Sequence, residues 1–296
     1  MASTKEIRRR IRSVENTAKI TNALQLVAAS KMRRAQERAL AARPYAERMR
    51  SVLADLSSAG SDDTGEGPLH PLLERREVKE TTVIVVTPDR GLAGALISNL
   101  HRHAGEIVLS PDRPGEVSML PVGRKGADYF QRFNLRYRGE FEALGDYPGL
   151  NETRPISTVA MQDYLSGDVD QVLLVYASFV STVTQKPATI QVLPVEPPAV
   201  EGGAEAGSQR EIDYIFEPSP QEVLEELLPR YVEMQIYQAV LEAAASEQSA
   251  RMVAMRNATD AANEMVDDLT LEYNKARQSQ ITNELLDIVG GVEAMV

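Results

Sequence analysis

Steps of four and three from Ile7 pick out Ile7, Ile11, Val14, Ala18, Thr21, Gln25, Ala28, Met32, Ala35 and Ala39. This is a heptad seam with small residues at many core positions. Between Thr4 and Leu56 there is no Gly, and Pro44 is the single Pro. The spacing predicts one helix, ~80 Å long if straight at ~1.5 Å per residue. Near the other end, Ser219, Pro220 and Glu222 have the order of an N-cap, a first-turn proline and a capping-box acid. The seam that follows reads Leu224, Leu227, Tyr231, Met234, Gln238, Leu241, Ala245, Gln248, Met252, Met255, Thr259, Ala262, Val266, Leu269, Tyr273, Ala276 and Gln280. Pro229 is expected to kink this helix and the Gly290-Gly291 pair to end it. Two heptad helices at opposite ends of a chain pair most simply as an antiparallel coiled coil, and the shorter leaves part of the longer uncovered.

The middle of the chain has a different pattern. "TTVIVVT" (81–87), "QVLLVYASF" (171–179) and "ATIQVLPV" (188–195) are β-branched or aliphatic runs of strand length. "GALISNLHRHAGEIV" and "ISTVAMQDYLSG" have helical spacing. Strands alternating with helices predict an α/β domain of about 130 residues with a partly parallel sheet. "SSAGSDDTGEGPLHP" (57–71) and "PVEPPAVEGGAEAGSQ" (194–209) are rich in Gly, Ser, Pro and acids and read as linkers or exposed loops.

Charge changes this picture. Residues 1–50 carry 13 Lys and Arg against 4 Asp and Glu, while the other 246 carry 19 against 39. A basic segment on an acidic chain points to an acidic partner, because like charges along one helix are tolerated best when something neutralises them. Aromatics are missing from that basic face, so a protein fits better than nucleic acid. Cys is absent from the 296 residues, which excludes disulfides and thiolate metal sites, and three His are too few for a His-based centre. No run reaches the ~18 apolar residues of a membrane span, and no apolar segment follows the basic N-terminus. A reducing cytosol is the expected compartment.

Chemistry-bearing patterns are sparse. "TVIVVTPDRGLAGALISN" reads strand, turn, helix, but Gly91 and Gly94 alone meet neither the dinucleotide fingerprint nor the P-loop. Asp89, Arg90, Asp112 and Asp128 have no acid/base spacing and read as solvated loop charges. No catalytic residue, cofactor or metal ligand is expected.

Three stretches together resemble the γ subunit family of the F-type ATP synthase. They are "IRRRIRSVENTAKITNALQLVAASKMRRAQ", "PDRGLAGALISN" and "SEQSARMVAMRNATDAANEMVDDLTLEYNKARQSQITNELLDIVGG", and the likeness runs from end to end. The resemblance implies an α/β protein with long helices, in which an antiparallel coiled coil of the terminal helices carries an inserted Rossmann-like domain. It implies the division 1–56 helix, 57–80 linker, 81–217 α/β foot and 218–296 helix. The implied role is a non-catalytic rotor that couples rotation of a membrane c-ring, driven by protons or sodium ions, to the catalytic β subunits. The implied partners are three α and three β subunits, the ε subunit and the c-ring, with no nucleic acid and no small-molecule substrate. The implied location is the cytoplasmic face of a bacterial cell membrane, as a peripheral protein.

By the same resemblance Arg277, Gln278, Thr282 and Glu284 fall on a belt that grips β, and Arg251 falls on a lower coupling position. Leu285, Leu286, Ile288 and Val289 form an apolar bearing, and Lys19, Lys31, Arg33 and Arg34 face acidic levers of β. Leu24 and Ala93 stand where many relatives have Met and Cys, both volume-tolerant changes. The rival readings are an α/β nucleotide-binding enzyme with a coiled-coil arm, which needs a ligand near Gly91 and Gly94, and a basic coiled-coil scaffold.

Overall fold

The computed structural model describes residues 4–59, 70–110, 115–196 and 219–293. Helix α1 spans Thr4–Ala59 and helix α5 spans Pro220–Glu293. The chain divides into two compact units, one of residues 1–29 with 251–296 and one of residues 30–250, and both helices contribute to each.

In the first unit the two seams face each other. Ile7, Ala18 and Ala28 of α1 and Met255 and Ala262 of α5 are buried, and the other seam positions as far as Ala276 are half-buried. Thr4 Oγ1 donates to Gln280 (3.1 Å), the Arg8 guanidinium hydrogen-bonds the Tyr273 hydroxyl and lies over its ring, and Thr21 shares a 2.7 Å hydroxyl bond with Thr259. Numbers rise along α1 as they fall along α5, so the helices are antiparallel. Alanines in both seams permit this close approach.

In the second unit a five-stranded sheet has the order β3-β2-β1-β4-β5, made of β1 (Glu80–Val86), β2 (Glu116–Val122), β3 (Arg136–Tyr137), β4 (Gln171–Phe179) and β5 (Gln185–Leu193). The first four strands are parallel, and β5 returns antiparallel beside β4. Alternation within β1 sends its side chains to two cores. Ile84 and Val86 pack with Ile156, Ala160 and Tyr164 of α4 (Leu150–Leu165), with Met49 and Leu53 of α1, and with Leu224, Leu228, Val232 and Ile236 of α5. Val83 and Val85 pack with Leu96, Leu100 and Ala104 of α2 (Leu96–Val108) and with Phe130 of α3 (Arg124–Phe130).

The N-terminal edge of the sheet is closed by a buried cation. The Arg138 side chain is 6% exposed, bonds Glu80 at 2.5 Å and lies 3.8 Å from Asp163. It also reaches the Asp168 carbonyl at 3.0 Å. A buried guanidinium is tolerated only with such partners.

Three expectations are corrected. The Gly290-Gly291 pair does not end α5, which runs to Glu293. Glycine permits a left-handed cap without imposing one, and at about 1 kcal/mol each the pair costs less than breaking the helix there. The stretch 57–71 is not wholly loop, since α1 continues to Ala59 and His70 caps the short turn Pro71–Leu73 by accepting the Leu72 N–H. No glycine precedes Gly60 to interrupt α1. β2, β3 and α3 lie where no element was expected. Residues 60–69 and 197–209 of the two linker stretches, and Asp112, lie outside the described residues. Helix α5 runs through Pro229 without breaking, and its start is capped by Ser219 Oγ, which accepts the Glu222 N–H at 3.3 Å.

Candidate functional site

The seam of the first unit stops abruptly. Gln280 lies opposite Thr4, the first described residue of α1, and every described side chain of α5 from Arg277 to Val289 is exposed. The polar belt is ordered along its own helix. Thr282 Oγ1 donates to the Gln278 carbonyl and Gln280 Nε2 to Glu284, both at 2.9 Å. These bonds leave Arg277 and the outer faces of Gln278 and Glu284 turned to solvent. Immediately beyond, Leu285, Leu286, Ile288 and Val289 are 57–64% exposed. Four large aliphatics within five residues of an uncovered helix form an apolar surface, and such a patch marks a place where something else packs. Arg251 lies half-buried at the other end of the same stretch of α5.

The basic face of α1 is partly engaged. Lys31 Nζ lies 2.7 Å from Asp146, in the segment between β3 and α4, and Arg38 donates to the Tyr147 carbonyl (3.1 Å) while lying over the Tyr147 ring. Among the described residues Arg33 pairs with Glu37 of its own helix, at 3.3 Å. Arg33 and Arg34 are exposed in the second unit, and Lys19 is exposed in the first. The structure therefore brings Lys31, Arg33 and Arg34 onto one stretch of helix, with Lys31 already holding an acid. The Asp146 and Tyr147 partners were not legible in the sequence, since nothing in "EALGDYPG" distinguishes a docked acid from a solvated one.

The carboxyl edge of the sheet is where a doubly wound fold binds ligands, at the point where crossovers leave in opposite directions. Here α2 and α3 cover one face and α4 the other, so that point lies beside the end of β1. Helix α5 packs into it. Val240, Ala243 and Ala244 line, with Val86, Thr87, Gly123 and Ala177, a cavity of about 60 Å³, where a small-molecule site takes roughly 300 Å³ or more. Beside it a second cavity of about 360 Å³ is lined by Asp89, Arg90, Arg124, Glu142 and Glu247. Asp89 is used structurally. Its Oδ1 accepts the Arg124 N–H at 2.9 Å and its Oδ2 the Ala143 N–H at 3.1 Å. Asp128 instead lies 3.8 Å from Arg124 on the surface of α3. Asp89 and Asp128 thus serve different contacts and form no acid/base pair.

Two serines of α5 with no motif to mark them lie against this edge. Ser246 and Ser249 are fully buried. Ser246 Oγ donates to the Ala177 carbonyl at 2.9 Å and Ser249 Oγ to the Thr182 carbonyl at 2.6 Å. Two serines three apart inside a heptad run were the available signal.

A family model described as ATP synthase matches residues 3–295. The chain is 53% identical over 295 residues to the ATP synthase gamma chain of Dehalococcoides mccartyi, covering all of both chains. It is 48% identical over 297 residues to that of Chloroflexus aurantiacus, covering all of this chain and 99% of the relative. Among solved structures, a chain of the Euglena gracilis mitochondrial ATP synthase superposes with a TM-score of 0.65 at 20% identity, over 99% of this chain and 94% of that one. A chain of the Tetrahymena thermophila mitochondrial ATP synthase central stalk and c-ring gives 0.59 at 24%, over 81% and 99%.

Proposed function

The chain belongs to the ATP synthase gamma chain family, and from that premise we propose that it is the central rotor of an F-type enzyme, turning inside a ring of three α and three β subunits. One observation carries this reading: α5 loses its partner helix at Gln280 and then presents a polar belt and four exposed aliphatics. In the proposed assembly Leu285, Leu286, Ile288 and Val289 turn in an apolar sleeve. Such a bearing suits rotation because apolar contact is non-directional and keeps its strength at every angle. Arg277, Gln278, Thr282 and Glu284 meet β loops with directional hydrogen bonds, which differ from one angle to the next. Arg251 sits lower on the shaft as a coupling contact.

Lys19, Arg33 and Arg34 face acidic levers of β through exposed pairs worth about 0.2–1 kcal/mol each. Lys31 joins them only by exchanging Asp146 for a β acid. Weak pairs are what a rotor requires, since they are remade at every step. The second unit serves as the foot, meeting ε and the membrane c-ring, with the coiled-coil helices as a separate functional division.

The chain itself performs no chemistry. An asymmetric shaft inside a threefold ring contacts each β subunit differently, and those differential contacts shift each catalytic site among its conformations. Proton or sodium flow through the c-ring turns the shaft and releases ATP, and hydrolysis reverses it. The complex lies at the cytoplasmic face of a bacterial membrane, where this chain is peripheral. Among the described residues no helix is long and apolar enough to cross a membrane.

Co-expression with the α and β subunits tests this. A complex with α and β in excess over this chain, and soluble ATPase that depends on it, are the expected results. Separate elution and an ATPase indifferent to the chain overturn the reading.

A further inference from the structure

A rotor must not let its shaft slip in its foot, and this inference rests on the rotor reading above. Along α5, Glu242, Ser246 and Ser249 stand at positions i, i+4 and i+7 of one helical face. Each meets the carboxyl end of β4 or the turn after it. Ser178 Oγ donates to Glu242 at 3.3 Å, Ser246 to the Ala177 carbonyl at 2.9 Å, and Ser249 to the Thr182 carbonyl at 2.6 Å. Gln185 Nε2 adds a 3.4 Å contact to Ser249 from the start of β5.

The turn that receives Ser249 is itself tied. Ser181 N donates to the Thr184 carbonyl (3.0 Å), Ser181 Oγ accepts the Val183 and Thr184 N–H groups, and Gln185 Nε2 reaches the Ser181 and Thr182 carbonyls at 3.2 Å. Alanine at 246 and 249 would satisfy helix propensity better and bury no hydroxyl. Buried polar groups contribute little net stability, but they specify one arrangement because any other leaves them unpaired. A serine oxygen lies roughly 3–4 Å from a helix axis, so roughly 20° of rotation moves it about 1 Å, enough to lose such a bond.

We propose that Ser246 and Ser249, with Ser178–Glu242 at the rim, fix the angular register of α5 against the sheet and so transmit torque between foot and shaft. They are positioning residues, since their hydroxyls are buried within this chain. The partly solvated pair between Lys31 of α1 and Asp146 is the contrasting case. Its geometry survives helix rotation by side-chain adjustment, and it contributes little to register.

The test uses the complete membrane enzyme reconstituted in vesicles, comparing wild type, Ser246→Ala with Ser249→Ala, Ser249→Thr, Ser178→Ala and Asp146→Ala. Two quantities are read: ions pumped per ATP hydrolysed, and the angular fluctuation of a probe on the foot with the ring of catalytic subunits fixed. The double alanine variant is expected to assemble and hydrolyse ATP at the wild-type rate, pump at least twofold fewer ions per ATP, and fluctuate with about twofold greater variance. Ser249→Thr, which keeps the hydroxyl, and Asp146→Ala are expected to match wild type, with Ser178→Ala in between. Wild-type pumping ratio and variance in the double variant overturn the proposal. If the double variant does not assemble, Ser178→Ala at the partly exposed rim decides in the same way. If wild-type chain supports neither hydrolysis nor pumping, the rotor reading fails, and this inference falls with it.

Discussion

Helix α5 is apolar at both ends, and the two ends have opposite fates. Leu228, Val232 and Ile236 near its start are 0% exposed, whereas Leu286 and Ile288 near its end are 63% and 64% exposed. The residues are of one kind and the backbone is one continuous helix, so neither propensity nor hydropathy separates them. What separates them is a partner within the chain. The first group is covered by the sheet and α4, and the second lies past Gln280, which meets the first described residue of α1. An apolar surface that its own chain leaves unfinished is completed from outside.

The sharpest test of this contrast is one substitution at both ends. Ile236→Asp buries a carboxylate without a partner and is expected to cost more than about 4 kcal/mol, enough to prevent stable folding. Ile288→Asp in the isolated chain is expected to stay within about 0.5 kcal/mol of wild type. Urea unfolding of both variants checks this, and similar losses at both sites would erase the contrast. With α and β subunits present the bare end should matter for function although it does not for stability. Leu286→Asp leaves the free chain as stable as wild type, but is expected to lower complex yield or chain-dependent ATPase by about tenfold, as loss of one buried aliphatic at an interface can.

The covered region also contains a pH-sensitive group. His101 on α2 stacks on Tyr129 of α3 at 4.1 Å and meets Phe130 edge-on. Burial lowers its pKa from 6.5, and the Arg132 and Lys125 charges add to this, against a raising backbone hydrogen bond at Lys125. The unfolded chain therefore binds the proton more readily. Stability is full above the ordinary histidine range and falls as pH drops through about 6.5 and below. His101→Phe should flatten that decline in thermal melts taken from pH 8 to pH 5.

At the small end of the scale, removing the Lys31–Asp146 pair is expected to cost about 0.2–1 kcal/mol, because both side chains are partly solvated. A double-mutant cycle measures it. A coupling well above that range would mean Lys31 is locked to Asp146 and unable to exchange it for an outside acid.

These contrasts divide what was legible in the sequence from what was not. Heptad spacing located both seams as far as Ala276, because each position repeats one local requirement. The runs that became β1, β4 and β5 were equally plain. β2 is hard to read because Pro121 weakens "EVSMLPV" as a strand; in the sheet Pro121 pairs with Val85 of β1, and on its other side its carbonyl accepts the Phe141 N–H at 3.1 Å. α3 was missed because seven residues containing Gly126 hold too little periodicity. The Ser246 and Ser249 bonds could not be read, since their acceptors are backbone carbonyls some 67–69 residues distant. Lys31 had the right charge for an outside partner, and sequence could not reveal that Asp146 folds back onto it. That part of α5 is uncovered was legible from the unequal helix lengths, but which of its residues form the bearing was legible only through resemblance, since a solvent-facing Leu and a buried one have the same pattern.

The most direct measurement is amide hydrogen exchange over residues 277–289, compared between the free chain and its complex with α and β subunits. The account predicts exchange slowed at least tenfold in the complex along this stretch, with amides of residues 228–240 protected in both states. Equal exchange of 277–289 in both states would mean that nothing covers the end of α5, and would contradict the claim that this end is a bearing.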